Sequence, residues 1–160
     1  MWAAIRVTWP APRFKNLEMS RVLGLDYGER RIGVAISDPT GTIAQPLPTI
    51  RRRAGKRPPF AKIKELIEKW EAESIVVGLP VETSGEEGPQ AELARAFGEG
   101  LAKRTQLPVS YWDERFTSKR ARREMALMDP PARVRREKER IDALAAVLIL
   151  GAYLNAQPDD

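Results

Sequence analysis

At 160 residues the chain is long enough to bury the core of one domain and too short for two. It contains no cysteine and no histidine, which excludes disulfides, thiolate-bound zinc, a thiol nucleophile, an imidazole base and every Ser-His or Cys-His pair. With 27 Lys and Arg against 22 Asp and Glu the formal net charge is +5, so a polyanionic partner is plausible, and any chemistry must rely on carboxylates, Lys, Tyr, hydroxyls or a bound hard cation.

The first twenty residues carry two Trp, two Pro and scattered cations, without a clean period or the apolar core of a signal peptide. We expect residues 1–20 to be a poorly ordered extension, with Met19 as the functional start, and an extra strand or arm of the domain is the alternative. No stretch approaches the roughly 20 apolar residues of a membrane span, so we expect a cytoplasmic protein that does not bind membranes.

The next segment predicts three antiparallel strands. Two β-like runs, Arg21–Tyr27 and Arg31–Ser37, are separated by a turn of three residues that contains Gly28. A third run, residues 43–50, contains two prolines, which predicts an edge position because proline cannot donate to a ladder.

Helical and β-like segments then alternate. An amphipathic stripe predicts a helix over residues 60–70, and a compact apolar run at residues 74–79 is typical of a parallel strand. The remaining predicted elements are a helix over 89–104, a strand over 109–112, and helices over 118–128 and 135–156. This order predicts an α/β protein with the ribonuclease H-like fold: a mixed five-stranded sheet, made of an antiparallel meander and parallel crossovers, flanked by helices. We assign the domain to residues 21–156 and a C-terminal tail to residues 157–160.

Three acidic residues are the candidate site. Asp26 ends the first strand, and Glu114 follows the strand at 109–112. Side chains alternate across a strand, so we expect Glu114 to face the site and Asp113 to point away. Asp142 lies at the border of an apolar helix, where an ionised carboxylate needs a partner. That partner is a metal ion or, alternatively, one of Arg135, Arg136 and Arg140, unless the helix begins late and the residue serves at its start.

Carboxylates alone can support phosphodiester hydrolysis. One or two divalent ions, about 3.5–4 Å apart when paired, activate water and neutralise charge on the phosphorus oxygens. Mg²⁺ or Mn²⁺ suits oxygen ligands and retains several waters. Asp26, Glu114 and Asp142 are therefore the predicted metal ligands and catalytic residues of a metal-dependent nuclease.

With these residues identified, the sequence closely resembles the YqgF/RuvX family, whose members are described as Holliday junction resolvases and pre-16S rRNA nucleases. The matching stretches are residues 25–38 (LDYGERRIGVAISD), 76–80 (VVGLP) with Gly85 and residues 88–90, 113–118 (DERFTS), and 141–150 (IDALAAVLIL). The resemblance implies a ribonuclease H-like fold, the same acidic triad, and trimming of the 5′ end of precursor 16S rRNA in ribosome biogenesis. Ser118 stands where the family usually has Thr, and residues 81–84 differ from its common polar turn.

A nucleic acid would contact basic residues near the acids. Residues 118–123 (SKRARR) follow Thr117, a predicted N-cap, and place cations at a helix start, which is unfavourable unless an anion binds there. The predicted contacts are Arg30, Arg31, Arg115, Thr117, Ser118, Lys119, Arg120, Arg122 and Arg123. The first three are nearest to the acids and could hold the scissile phosphate or, alternatively, pair with the acids. Two further basic stretches are residues 133–140 and 51–57. Tyr27 and Trp112 could stack on bases, although core packing is the commoner role of such aromatics.

Other functions fit parts of the pattern. A turn such as residues 26–28 also resembles the phosphate loop of the actin and Hsp70 superfamily, but one domain of this size would supply half of that nucleotide site. Resolution of four-way DNA junctions and a non-catalytic RNA-binding or assembly role are the remaining alternatives. We expect precursor 16S rRNA as the partner, with structured DNA as the alternative, and a monomer or weak homodimer.

Overall fold

The computed structural model describes the backbone of residues 4–7, 20–116 and 134–156, with side chains for residues 20–115 and 141–156. The elements are β1 (Ala4–Val7), β2 (Arg21–Tyr27), β3 (Arg31–Ser37), β4 (Ala44–Arg51), α1 (Phe60–Trp70), β5 (Ala72–Leu79), α2 (Pro89–Thr105), β6 (Val109–Asp113), a 3₁₀ turn (Glu114–Phe116) and α3 (Val134–Asn155). The predicted helix over 118–128 and the tail at 157–160 lie outside the described residues.

The strands form one mixed sheet in the order β1-β6-β5-β2-β3-β4. β2, β5 and β6 are parallel, whereas β3 and β4 continue from β2 as an antiparallel meander. The predicted five-stranded ribonuclease H-like sheet is confirmed, and β4 occupies the edge that its prolines indicated. A sixth strand, β1, pairs antiparallel with β6, while Ser20 is the only other described residue of the first twenty.

Local sequence explains where the helices begin and end. Pro89 is the first residue of α2 and follows Gly88, which suits a helix start because the missing N–H would have no partner there. α1 and α2 are followed by the C-cap residues Glu71 and Gln106, both in the left-handed conformation that closes a helix by returning an N–H to the last turn. No helix among residues 20–116 and 134–156 is both long and apolar enough to cross a membrane.

Each face of the sheet carries its own core. On one face, which we call the α1–α2 face, Leu23, Leu25 and Ile32 pack against apolar residues of α1 and α2. On the other, the α3 face, Val76 and Ala35 pack against α3. Alternate residues of the same strand therefore belong to different cores.

The stripe of α3 that meets the sheet is buried and comprises Ala145, Ala146, Ile149 and Leu150. Leu144, Val147 and Leu148 are only partly buried. The sequence of α3 is thus apolar on more sides than the structure buries, because a helix on one face of a sheet contacts it along a single stripe.

Candidate active site

The carboxyl ends of the parallel strands define the candidate site, which is where open α/β sheets bind ligands. Asp26 is the penultimate residue of β2, and Glu114 follows the last residue of β6. The register pairs Leu25 with Val77 of β5, so Asp26 lies level with Gly78, the next residue along that strand. β5 thus separates the two strands whose ends carry the first two predicted acids.

Asp26 lies on the α3 face of the sheet. Gly24, two residues earlier on the same face, contacts Leu150 of α3, and the alternation places Asp26 on that side as well. Its side chain is partly exposed, and it makes no hydrogen bond or ion pair in the part of the chain that the structure describes. None of the described residues therefore competes with a ligand for this carboxylate.

Asp142 reaches the same region through Gly33. Gly33 is the antiparallel partner of Asp26 on β3. A Cβ at Gly33 would overlap the carbonyl oxygen of Asp142 and lie 2.8 Å from its carbonyl carbon, so the backbone of α3 rests directly on this glycine. The structure thus brings together two acids that are far apart in the sequence.

The Asp142 carboxylate pairs with Arg31, whose Nε donates to Oδ2 at 2.8 Å. The two side chains are 28% and 29% exposed, so the pair is only partly shielded from water. Asp142 also lies eight residues inside α3, which excludes a role at the start of the helix. A partner of Asp142 thus comes from β3.

Glu114 and Asp113 point to opposite faces. A Cβ at Gly78 would lie 2.6 Å from Oε1 of Glu114 and 2.6 Å from Cδ1 of Ile149, so the Glu114 side chain crosses the bare backbone of β5 on the α3 face. Asp113 is 6% exposed, and its carboxylate accepts hydrogen bonds from the backbone N–H of Arg115 at 2.9 Å and from Nη2 of Arg115 at 2.6 Å. All three predicted acids consequently occupy one face.

Arg115 forms an ion pair with Asp113 at one end of the site. The hydrogen bonds to that carboxylate raise the pKa of the Arg115 guanidinium above its usual value. Its Nη1 also lies 3.4 Å from the position of a Cβ at Gly85, next to the turn at residues 82–85. The predicted nucleic-acid contact therefore connects β6 to the loop after β5, and a phosphate there would share a guanidinium already paired with an acid.

Oxygen ligands on one face, with glycines below them, fit a hard cation in donor type and in available space. Within residues 20–115 and 141–156, however, no three acidic side chains are close enough to form a ready-made metal cluster. Glu114, like Asp142, has contacts of its own. The acids share a face and an edge, and an ion would have to gather their carboxylates more closely.

The other predicted residues divide into three groups. Arg30 is exposed in the turn beside Asp26. Tyr27 stacks on Phe97 with ring centroids 4.2 Å apart, and buried Trp112 contacts Tyr153 edge to face, so both aromatics have packing roles. Thr117, Ser118, Lys119, Arg120, Arg122 and Arg123 lie outside the described residues.

Sequence reasoning missed the structural role of the glycines. Gly33 and Gly78 allow α3 and Glu114 to approach the sheet, and glycine inside a strand is the signal for such a close approach. It also missed Arg52, which holds the loop after β4 against the turn beside Asp26.

The fold has solved counterparts. A chain described as "T. thermophilus RuvC in complex with Holliday junction substrate" matches with a TM-score of 0.54 over 85% of this chain and 95% of that chain, at 19% identity. A second, described as "Thermus thermophilus RuvC structure", gives a TM-score of 0.53 at 16% identity. These likenesses define the class as an α/β protein of the RuvC-like, ribonuclease H-like fold.

Sequence comparison narrows the class to a family. A family model described as "RuvX: Holliday junction resolvase" matches residues 20–156, and the chain belongs to this family. A protein of Thermoanaerobacter pseudethanolicus is 46% identical over 86% of this chain and 97% of its own length, and one of Koribacter versatilis is 45% identical over 88% and 90%. Both carry the name "Putative pre-16S rRNA nuclease". The predicted resemblance is confirmed.

Proposed function

We propose that this protein is a metal-dependent nuclease that hydrolyses phosphodiester bonds in structured RNA, with the 5′ end of precursor 16S rRNA as its substrate. The observation that carries the proposal is the placement of Asp26, Glu114 and Asp142 on one face at the carboxyl edge of the sheet. The names of relatives about 45% identical over most of the chain support the same substrate. Processing of a precursor rRNA implies a cytoplasmic location.

In this proposal, Mg²⁺ or Mn²⁺ held by Asp26, Glu114 and Asp142 would activate water and neutralise charge on the phosphate. The chain's own residues do the positioning. Asp26 offers a carboxylate that no described residue pairs with, and Glu114 is held over β5 by the 3₁₀ turn. Arg31 compensates the charge of Asp142 in the absence of an ion and lies where it can contact a substrate phosphate.

Resolution of DNA junctions is the second candidate, because the matching family model is described by that activity. The proposed site would cleave either polymer by the same chemistry. The two functions separate in a direct comparison: purified protein is incubated with precursor 16S RNA and with a four-way DNA junction, each with and without Mn²⁺. Metal-dependent shortening of the RNA at its 5′ end supports the proposal, and cleavage of the junction alone contradicts it.

The residue assignment is tested with Asp26→Asn. Because the amide retains the size of the side chain but loses its charge, we expect the variant to lose metal-dependent cleavage and to retain most of its RNA affinity. Cleavage of a 5′-labelled RNA and its binding in the presence of a chelator measure the two properties. The control is Glu65→Gln, which removes one charge from the exposed surface of α1 and should cleave normally. Normal cleavage by Asp26→Asn would remove Asp26 from the mechanism.

A further inference from the structure

A second basic surface lies beside the candidate site. Residues 51–57, which we call the basic loop, contain Arg51, Arg52, Arg53, Lys56 and Arg57 and no acidic residue. All of these side chains except that of Arg52 are exposed. No carboxylate among the residues that the structure describes forms an ion pair with Arg53, Lys56 or Arg57. The loop therefore concentrates positive charge without neutralising it internally.

Arg52 fixes the position of this loop. Its Nη1 donates to the carbonyl oxygens of Gly28 at 3.1 Å and Glu29 at 3.0 Å, and its Nη2 donates to that of Lys56 at 2.8 Å. The guanidinium also lies over the ring of Tyr27, 4.7 Å from its centroid. One side chain thus ties the start of the loop to its far end and to the turn between β2 and β3.

The anchored turn is the one next to the candidate site. It begins at Gly28, two residues after Asp26, and its Arg30 carbonyl accepts a hydrogen bond from the backbone N–H of Arg52 at 2.9 Å. A strand of nucleic acid that leaves the acids across this turn reaches the basic loop directly. Arg30, exposed at the turn, extends the positive charge between the two.

Holding several like charges together is unfavourable in the free protein, although salt and water weaken the repulsion. Contacts of the half-buried Arg52 guanidinium with carbonyls and an aromatic ring organise the loop in advance, so less conformational entropy is lost when an anion binds. A polyanion would release counterions and remove the repulsion. Arginine and lysine side chains on an ordered loop fit the phosphate backbone, which offers no base-specific contact there.

We propose that the basic loop is a surface that binds the RNA backbone, with Arg52 as its positioning residue. The loop holds the substrate strand after that strand has passed from the acids across the β2–β3 turn. This inference rests on the proposed function for its choice of RNA as the polyanion. It concerns binding alone, however, so its test does not require cleavage.

The test compares two double variants with equal charge loss. Arg53→Ala with Lys56→Ala removes two exposed cations from the basic loop, and Lys64→Ala with Lys69→Ala removes two from the exposed face of α1. The probe is a hairpin RNA with a single-stranded 5′ extension, bound in the presence of a chelator at several salt concentrations. For two lost contacts to single-stranded phosphates, the slope of log K against log salt should fall by about 1.4. If affinities agree at 1 M salt, this loop variant binds about 25-fold more weakly at 0.1 M.

Arg52→Lys tests the positioning role. The substitution keeps the charge but loses the planar fork that contacts three carbonyls at once. We expect a reduced salt slope at unchanged net charge, together with a modest loss of stability. A residue that only stabilised the fold would lower the melting temperature without altering the slope.

An unchanged slope in the loop variant, or an equal change in the α1 variant, overturns the inference. The result also separates it from the proposed nuclease activity. If RNA is bound through the basic loop but never cleaved, the proposed nuclease activity is contradicted and the proposed RNA-binding surface is supported. If RNA is cleaved but the salt slope of binding does not change in the loop variant, the nuclease activity is supported and the RNA-binding surface is contradicted.

Discussion

At the scale of single residues, the candidate site depends on glycines, whose lack of a side chain leaves space on the sheet. Gly78 leaves the middle of β5 bare, and the carboxylate of Glu114 occupies the space that a Cβ would fill. Because Ile149 of α3 fills the other side of the same space, the glycine sets the position of both neighbours. The structure therefore predicts that cleavage is sensitive to a methyl group added at Gly78, as it is to a charge removed from the acids.

We expect Gly78→Ala to displace Glu114 and Ile149, because a contact of 2.6 Å is closer than real Cβ contacts allow. Overpacking of this kind costs about 1–3 kcal/mol of stability. Cleavage should fall by more than the lost folded fraction explains, since the carboxylate itself moves. Urea unfolding and cleavage of a 5′-labelled precursor RNA measure the two effects.

Gly151 provides the matched control, because no atom of the described residues, apart from its chain neighbours and the backbone of its own helix, lies within 4 Å of a Cβ built at this position in α3. Gly151→Ala should preserve cleavage and raise stability by up to about 1 kcal/mol through helix propensity. Equal activity in the two alanine variants would show that Glu114 does not need the space above Gly78.

The same residues show which features of the candidate site could be predicted from the sequence. Asp26, Glu114 and Asp142 were predicted as one group because carboxylates in apolar stretches need a partner, and the structure places them on one face. Arg31 was predicted to hold a phosphate or to pair with one of the acids, without saying which acid, and its pairing with Asp142 spans 111 residues. Contacts at such separation depend on the packing of α3 on the sheet, which no local pattern specifies.

At the scale of elements, the β3–β4 turn is organised by one carboxylate. Asp38 Oδ1 accepts hydrogen bonds from the backbone N–H groups of Thr42 and Ile43, each at 2.8 Å, and Oδ2 accepts one from the Thr40 hydroxyl. Chiefly because of the Ile43 N–H, and then the Thr40 hydroxyl, the pKa of Asp38 is lowered from 3.8 to about 2. The folded protein therefore favours the ionised form.

This shift predicts a pH-dependent effect of Asp38→Ala. A carboxyl group with a lowered folded pKa stabilises the fold above its unfolded pKa of 3.8 and loses that effect as the pH falls towards about 2. We expect the variant to melt about 2–4 °C below the parent at pH 7, as the loss of roughly 1 kcal/mol implies. The gap should narrow as the pH falls below 3.8.

Asp38→Asn is the control, because it keeps an acceptor oxygen but cannot ionise. It should melt between the parent and the alanine variant at pH 7. An alanine gap that is as wide at pH 2.5 as at pH 7 would contradict a role for the ionised carboxylate.

Element bounds could be predicted well where a period or a breaker is strong. β2, β3 and α1 have the predicted limits, because alternation, a helical stripe and glycine or proline boundaries all agree. An extra strand among residues 1–20 was only the alternative prediction, since the four residues of β1 show no period and the strand is defined by its pairing with β6. The pairing with β6 therefore defines a strand that the local sequence does not indicate.

At the scale of the whole molecule, the two cores should unfold together because they share the strands of one sheet. β2, β3 and β5 each alternate residues between the α1–α2 face and the α3 face, so neither core can open without disturbing the strands that carry the other. The acids at the carboxyl edge are thus held by both layers. This arrangement predicts a single cooperative unfolding transition, as is usual for one domain of this size.

Truncation of one buried side chain on each face tests this coupling. Leu101 of α2 and Ile149 of α3 are both fully buried, so Leu101→Ala and Ile149→Ala should each cost about 2–5 kcal/mol. Trp70 packs against the first core and Trp112 belongs to the second, so tryptophan fluorescence reports on both faces and far-UV circular dichroism on the whole fold. In urea, each variant should shift both signals together to one lower midpoint. The double variant should lose the sum within about 0.5 kcal/mol, because the sites lie on opposite faces. A fluorescence transition that separates from circular dichroism in only one variant would show that the two layers unfold independently.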